Sequence, residues 1–184
     1  MIIDRYIAKA YVLINKAFRR FKMCLIKPAF KSHGRNFVFD PNGVYSYNTI
    51  VVGDDVFIGP GANFSASESA IVIGNKVMFG PNVTIMGGDH NTSQIGKYMY
   101  DVKEKLAKND QSVSIDDDVW IGCNVLILKG VTIGRGSIVG AGSVVTRSCP
   151  PYSIMLGSPA KVVKQRFSDL DLQLHEKLLK QNDI

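Results

Sequence analysis

The side chains best suited to move a proton near neutral pH are the three histidines, His33, His90 and His175. His33 lies in the link ahead of a repeated region, and His175 lies among Leu170, Leu174 and Leu178 near the C-terminus. Both are expected to be structural or solvent-facing. His90 differs, because it stands where a regular apolar pattern stops, directly after Asp89. It opens the stretch 87–114, which carries Asn91, Lys97, Tyr98, Tyr100, Lys103, Glu104 and Lys108 before the pattern returns. A loop of that length inside a compact domain is usually functional or disordered. An imidazole at its root is a candidate general base. Asp89 could orient the ring or bind a substrate, although adjacency in sequence does not establish contact.

Other chemistries fit less well. Cys24, Cys123 and Cys149 are odd in number and share neither disulfide nor metal-ligand spacing, so reduced thiols and a cytoplasmic location are expected, with no metal site. Cys123 has no histidine nearby in sequence to activate it as a nucleophile. Gly140-Ala141-Gly142 begins like a dinucleotide fingerprint, but Val145 occupies the third glycine position.

The net charge of +6 could suggest nucleic acid, yet much of the excess sits in Lys9, Lys16, Arg19, Arg20, Lys22 and Lys27. No aromatic residues interleave with them as a stacking platform would require, so no nucleic-acid partner is expected. A solvated basic helix face is the simplest reading, with an anionic membrane surface as an alternative. With 184 residues, 46% hydrophobic and 21% charged, the chain has the composition of an ordinary single globular domain. No apolar run approaches membrane-spanning length, and the first twenty residues lack the pattern of a secretory signal.

The elements that must position His90 announce themselves by a period of six. Val52, Ile58 and Phe64 keep it, then Ile73, Phe79 and Ile85, then Ile115, Ile121, Ile127, Ile133, Val139 and Val145. A second series of small or β-branched residues follows four positions later, as in Val56, Ala62, Val77, Val83, Val119, Val125, Val131, Ser137 and Ser143. Glycine often follows the first position, as in Ile73-Gly74, Ile121-Gly122 and Val139-Gly140. Six is neither a helical period nor a hairpin spacing. A short strand and a tight turn use about six residues, and three such units close one triangular coil of a solenoid. Glycine is expected at the corners to ease their tight turns. Four regular coils result, with a less regular one plausible from Phe37 to Ile50.

This aliphatic-Gly-x-x-small-x pattern resembles the hexapeptide-repeat acyltransferases over roughly residues 37 to 167. The likeness extends to Val119-Trp120-Ile121-Gly122, to Gly130-Val131-Thr132-Ile133-Gly134, to Val139-Gly140-Ala141-Gly142-Ser143-Val144-Val145-Thr146, to Pro150-Pro151 and to Gly157-Ser158-Pro159-Ala160-Lys161. The resemblance implies a mainly β fold, a left-handed parallel β-helix of four to five coils. It implies acetyl-CoA as co-substrate, with the pantetheine arm along Cys123, Gly140, Ala141 and Thr146. Arg147, Lys161 and Lys164 would meet the phosphates. His90, after Asn82-Val83-Thr84-Ile85, matches the general base of the galactoside and maltose O-acetyltransferases. Asn63 in Ala62-Asn63-Phe64, and Glu68 beyond it, match residues lining the acceptor site, across a loop about three residues shorter here. The family also implies direct transfer in a ternary complex and a homotrimer with active sites between subunits.

The chain therefore divides into an N-terminal helix (1–30), the β-helix (37–167, with 87–114 inserted) and a C-terminal helix (168–184). Ile3, Ile7, Tyr11, Ile14, Phe18, Phe21 and Leu25 keep helical spacing, with Pro28 beyond, and their stripe is expected to pack on the β-helix or a neighbouring subunit. Ser168 and Asp171 make a plausible start for the last helix. The expected activity is O-acetylation of a sugar or polysaccharide precursor. An amino-sugar N-acetyltransferase is the alternative, and a non-catalytic solenoid module is a third reading. A zinc carbonic anhydrase of the same fold would need three histidine ligands, and the coils supply one. Serine acetyltransferases carry a much larger helical N-terminal domain than the 30 residues present here.

Overall fold

The computed structural model describes residues 2–182. The tips of the expected terminal segments, Met1 and Asp183–Ile184, lie outside the described residues. Short strands wind into a prism with three parallel faces. The first face stacks β1 (Ser32–His33), β3 (Ile50–Val52), β6 (Ile71–Ile73), β9 (Val113–Ile115) and β12 (Thr132–Ile133). The second stacks β4 (Phe57–Ile58), β7 (Met78–Phe79), β10 (Trp120–Ile121), β13 (Ile138–Val139), β15 (Ser153–Gly157) and an antiparallel β16 (Ala160–Gln165). The third stacks β2 (Val44–Tyr45), β5 (Asn63–Ser65), β8 (Thr84–Met86), β11 (Leu126–Leu128) and β14 (Val144–Val145).

The six-residue period is the period of this winding. All twelve aliphatic or aromatic hexad residues face inward, none more than 3% exposed. Their register is strict, with Ile58, Phe79, Ile121 and Val139 stacked on one face and Phe64, Ile85, Ile127 and Val145 on another. The second series, Val56 through Ser143, is equally buried. Burying each such aliphatic side chain contributes about 1.5–3 kcal/mol, and no coil could bury its set without a neighbour.

The corners bear out the expected glycines in part. The left-handed backbone falls three residues after the inward aliphatic, on Gly61, Gly130, Gly136 and Gly142 with φ of +69° to +76°, and on Asp55, Lys76, Asn82, Asp118 and Asn124 with φ of +55° to +58°. Asn and Asp tolerate that conformation better than most side chains do. The glycines one residue after the aliphatic serve a different need, the close approach of stacked coils. A Cβ on Gly122 would lie 2.6 Å from the backbone nitrogen of Ala141 in the next coil.

The first coil is fuller than expected, for it begins at β1 and includes His33 as a strand residue rather than part of a link. Phe30 plugs its open end, meeting Phe37, Phe39, Tyr45 and Tyr47 at ring distances of 5.0–5.6 Å. Helix α1 (Ile2–Ile26) precedes that plug, and Pro28 sits in the short 3-10 turn Lys27–Ala29 after it. The expected packing of the α1 stripe on its own β-helix does not occur. Ile7, Tyr11, Ile14, Phe18, Phe21 and Leu25 are 60–68% exposed, and only Met23 and Ile26 lean on the core. At the other end α2 (Asp169–Asn182) starts at Ser168, whose hydroxyl accepts the Asp171 N–H at 3.2 Å. It docks through Glu176, which accepts the Tyr152 hydroxyl and pairs with Arg135 at 3.5 Å.

Candidate active site

The inserted loop leaves the third face after β8 and rejoins the first face at β9, so Val113 and Ser114 belong to the strand rather than to the loop. Its neck is narrow. Gly88 bridges Asp110 antiparallel, the Asp89 N–H donates to the Asn109 carbonyl at 2.8 Å, and the Gln111 N–H donates to the Gly87 carbonyl at 2.9 Å. Register across the insertion is kept, for Ile71 and Ile73 still stack under Val113 and Ile115. The loop thus rises from a fixed edge without disturbing the coils.

His90 lies at that neck and its side chain is exposed. With Asp89, Thr92, Met99, Tyr100, Lys108, Asn109 and Lys129 it lines a cavity of about 700 Å³. Two residues outside the expected set hold this arrangement. Asn109, 5% exposed, donates from Nδ2 to Asp89 Oδ1 at 2.8 Å and to the His90 carbonyl at 3.1 Å, while its Oδ1 accepts the Leu106 N–H at 2.9 Å. Lys129, just past β11, places Nζ 2.5 Å from Asp89 Oδ2 and donates to the carbonyls of Lys108 and Asn109. The Lys129 ammonium, and then the Asn109 amide, hold the Asp89 carboxyl below its ordinary value. Asp89 is therefore engaged as a tether of the neck. Nothing in the hexad pattern marks either residue.

The remaining expected residues lie on the third face, at its corners, and on β16 of the second face. Asn63 points outward from β5, since its neighbour Phe64 points in. Glu68 is exposed in the turn beyond β5, beside Ser69, whose hydroxyl donates to the Gly87 carbonyl at 2.8 Å. Cys123 and Gly140-Ala141-Gly142 form stacked corners leading into β11 and β14, joined by the Gly142 N–H donating to the Cys123 carbonyl at 2.9 Å. Thr146 and Arg147, both exposed, follow β14 on the edge from which the loop springs. Lys161 and Lys164 are exposed on β16, paired with Leu156 and Ile154. Leu156 reaches over Gly140, so β15 and β16 overhang the last corner. The structure thus gathers Asp89 and His90 in one cavity. Asn63, Glu68 and the expected cofactor residues lie elsewhere around the face and do not line it. Among the described residues no group of three or more His, Cys, Asp or Glu side chains converges as metal ligands.

Comparisons with known proteins agree with this architecture. The bacterial transferase hexapeptide (six repeats) family matches residues 112–147. A galactoside O-acetyltransferase of Lactococcus lactis subsp. lactis (strain IL1403) is 34% identical over 169 residues, 89% of this chain and 70% of that protein. A hexapeptide-repeat acetyltransferase from Vibrio cholerae O1 biovar eltor, solved with acetyl coenzyme A, superposes with a TM-score of 0.70 at 31% identity, over 79% of this chain and 76% of that one. A maltose O-acetyltransferase from Clostridium difficile 630 gives 0.66 at 31% identity, over 78% and 73%. The protein is a member of the hexapeptide-repeat acetyltransferases, and its prism is their left-handed parallel β-helix.

Proposed function

We propose that this protein transfers the acetyl group of acetyl-CoA to a hydroxyl of a sugar or polysaccharide precursor, with His90 as general base. The acetyltransferase class and the acetyl-CoA donor come with the family. The choice of a sugar hydroxyl is supported by the galactoside O-acetyltransferase that matches 89% of the chain. A hydroxyl is a weak nucleophile, so a base must take its proton as its oxygen attacks the thioester carbonyl. His90 would accept that proton and return it to the departing CoA sulfur, so the ring ends the cycle as it began. N–H donors would have to stabilise the oxyanion between those steps.

The donor would lie along the corners of Cys123, Gly140, Ala141 and Thr146, against backbone that glycine and alanine leave uncovered. Arg147, Lys161 and Lys164 supply exposed cations for its phosphates. Asn63 and Glu68 would meet the acceptor. Because these groups do not line the His90 cavity within one chain, a homotrimer with each site between subunits is the assembly that would complete it. The free cysteines and the CoA donor favour a cytoplasmic setting.

The observation that carries this reading is an exposed imidazole in a cavity at the edge of the third face, in a chain related over most of its length to a galactoside O-acetyltransferase. The test is acetyl transfer across a panel of sugars and amino sugars. Hydroxyl acetylation that falls about 10²–10⁴-fold in His90→Ala, with acetyl-CoA still raising the melting temperature, is expected. Activity confined to amines, or unchanged in His90→Ala, would overturn it.

A further inference from the structure

Helix α1 is amphipathic in a specific way. At 100° per residue, Leu13, Tyr6, Phe21, Ile14, Leu25, Phe18 and Tyr11 sweep an uninterrupted apolar arc of about 160°. The opposite arc carries Arg5, Lys9, Lys16, Arg19, Arg20 and Lys22, and residues 5–26 contain no Asp or Glu. The helix is fixed to the first coil by its basic side. Arg19 reaches Asp40 at 3.4 Å, Lys22 donates to Asn42 at 2.7 Å, and Met23 and Ile26 lie on the same side. The apolar arc therefore faces away from the β-helix. No helix among the described residues is long and apolar enough to cross a membrane.

Three partners could cover such a face: another copy of the helix, the coils of a neighbouring subunit, or a lipid surface. Pairing between copies uses a narrow seam flanked by charges of opposite sign. Here the apolar arc is broad and both flanks are cationic, so two copies would bring like charges together. A bilayer surface suits both features at once. Aliphatic and aromatic side chains enter the acyl boundary, while lysines and arginines remain at the level of anionic headgroups. We propose that α1 lies in the plane of an anionic lipid surface and tethers the enzyme there. The ion pair of Arg19 with Asp40 and the contact of Lys22 with Asn42 keep the first coil on the aqueous side of the helix.

The test is co-sedimentation of the full chain with vesicles of phosphatidylcholine alone and of phosphatidylcholine mixed with phosphatidylglycerol. Binding to the anionic vesicles, weakened by salt, is expected, with little binding to the neutral ones. Ile14→Asp/Phe18→Asp should lower that partitioning by about tenfold or more, and Lys9→Glu/Lys16→Glu should do the same for anionic vesicles. Both variants should keep the acetyl-CoA thermal shift and the native particle mass in solution, which separates this inference from the proposed reaction. Absence of binding to anionic vesicles would overturn it. So would a fall in particle mass in Ile14→Asp/Phe18→Asp, because the stripe would then be a contact between copies.

Discussion

Asn109→Ala tests whether the loop neck is held as described. The substitution removes two donated hydrogen bonds, to Asp89 and to the His90 carbonyl, and one accepted from Leu106. Each such bond contributes about 0.5–1.5 kcal/mol net, so truncation should cost the neck roughly 2–4 kcal/mol. At 1.4 kcal/mol per factor of ten, the ratio of closed to open neck falls by roughly 30- to 1000-fold. The loss should be local, because the coils on either side pair directly through β6 and β9. Native-state hydrogen exchange reads it without knowledge of the acceptor. The amides of Asp89 and Gln111, which bond across the neck, should exchange faster by that ratio. The amide of Gly122, bonded to Val139 in the next coil, should not change. Acetyl transfer should fall by about tenfold or more if the open neck dominates, while the acetyl-CoA thermal shift persists. Unchanged protection at Asp89 and Gln111 would refute the assignment of Asn109 as the clasp.

Further outcomes follow from the same geometry. The Asp89 carboxyl is held low by Lys129 and Asn109, so its tether is in place above the ordinary carboxylate range and is lost as the pH falls through the lowered value. Protection of the neck amides, corrected for the intrinsic pH dependence of exchange, should therefore hold from neutral pH down through that range and be lost only in stronger acid, and Lys129→Met should move that loss to higher pH. Burial and the bond to Glu176 push the Tyr152 hydroxyl up to about 12. The protonated phenol thus contributes stability fully present below its unfolded value near 10 and progressively lost as the pH rises towards 12. Thermal melts in that alkaline window should show the loss, and Tyr152→Phe should flatten it. Gly122→Ala would drive a methyl into the Ala141 backbone, so a loss of about 1–3 kcal/mol in chemical denaturation is expected, together with weaker acetyl-CoA binding at that corner.

The prism could be read from the sequence because its governing period lies in the chain itself. Within each of the blocks 52–64, 73–85 and 115–145 every sixth residue must face inward, and no tertiary information is needed to see which ones do. The corners were half legible. The glycines after the aliphatic residue are plain in the sequence, but their role in coil-to-coil approach depends on the backbone that faces them, as at Gly122 against Ala141. The strained corner position is written in Gly61, Gly130, Gly136 and Gly142 and in Asp55, Asn82, Asp118 and Asn124, residues that tolerate the left-handed region, yet Lys76 shares it without that preference. The site was legible at His90, where the period breaks. It was illegible at Asn109 and Lys129, nineteen and 39 residues away in sequence, because their partners meet only once the neck closes.

The amphipathic pattern of α1 is equally plain, and of its two expected partners the chain's own β-helix is ruled out for a physical reason. A hydrophobic stripe states that something apolar must cover it, but not what. The expectation of packing on the β-helix weighed the apolar residues alone. The contacts of Arg19 and Lys22 with the first coil consume the basic side instead, and a helix has only two sides to offer. Once the cations face the body at the last turns, the apolar arc has to find a partner outside the chain. That partner must tolerate Arg20 at the margin of the arc, with Lys9 and Lys16 on the side opposite it. Position of charge, more than the count of apolar residues, therefore decides where such a helix goes, and it does so through side chains whose own interactions are individually weak.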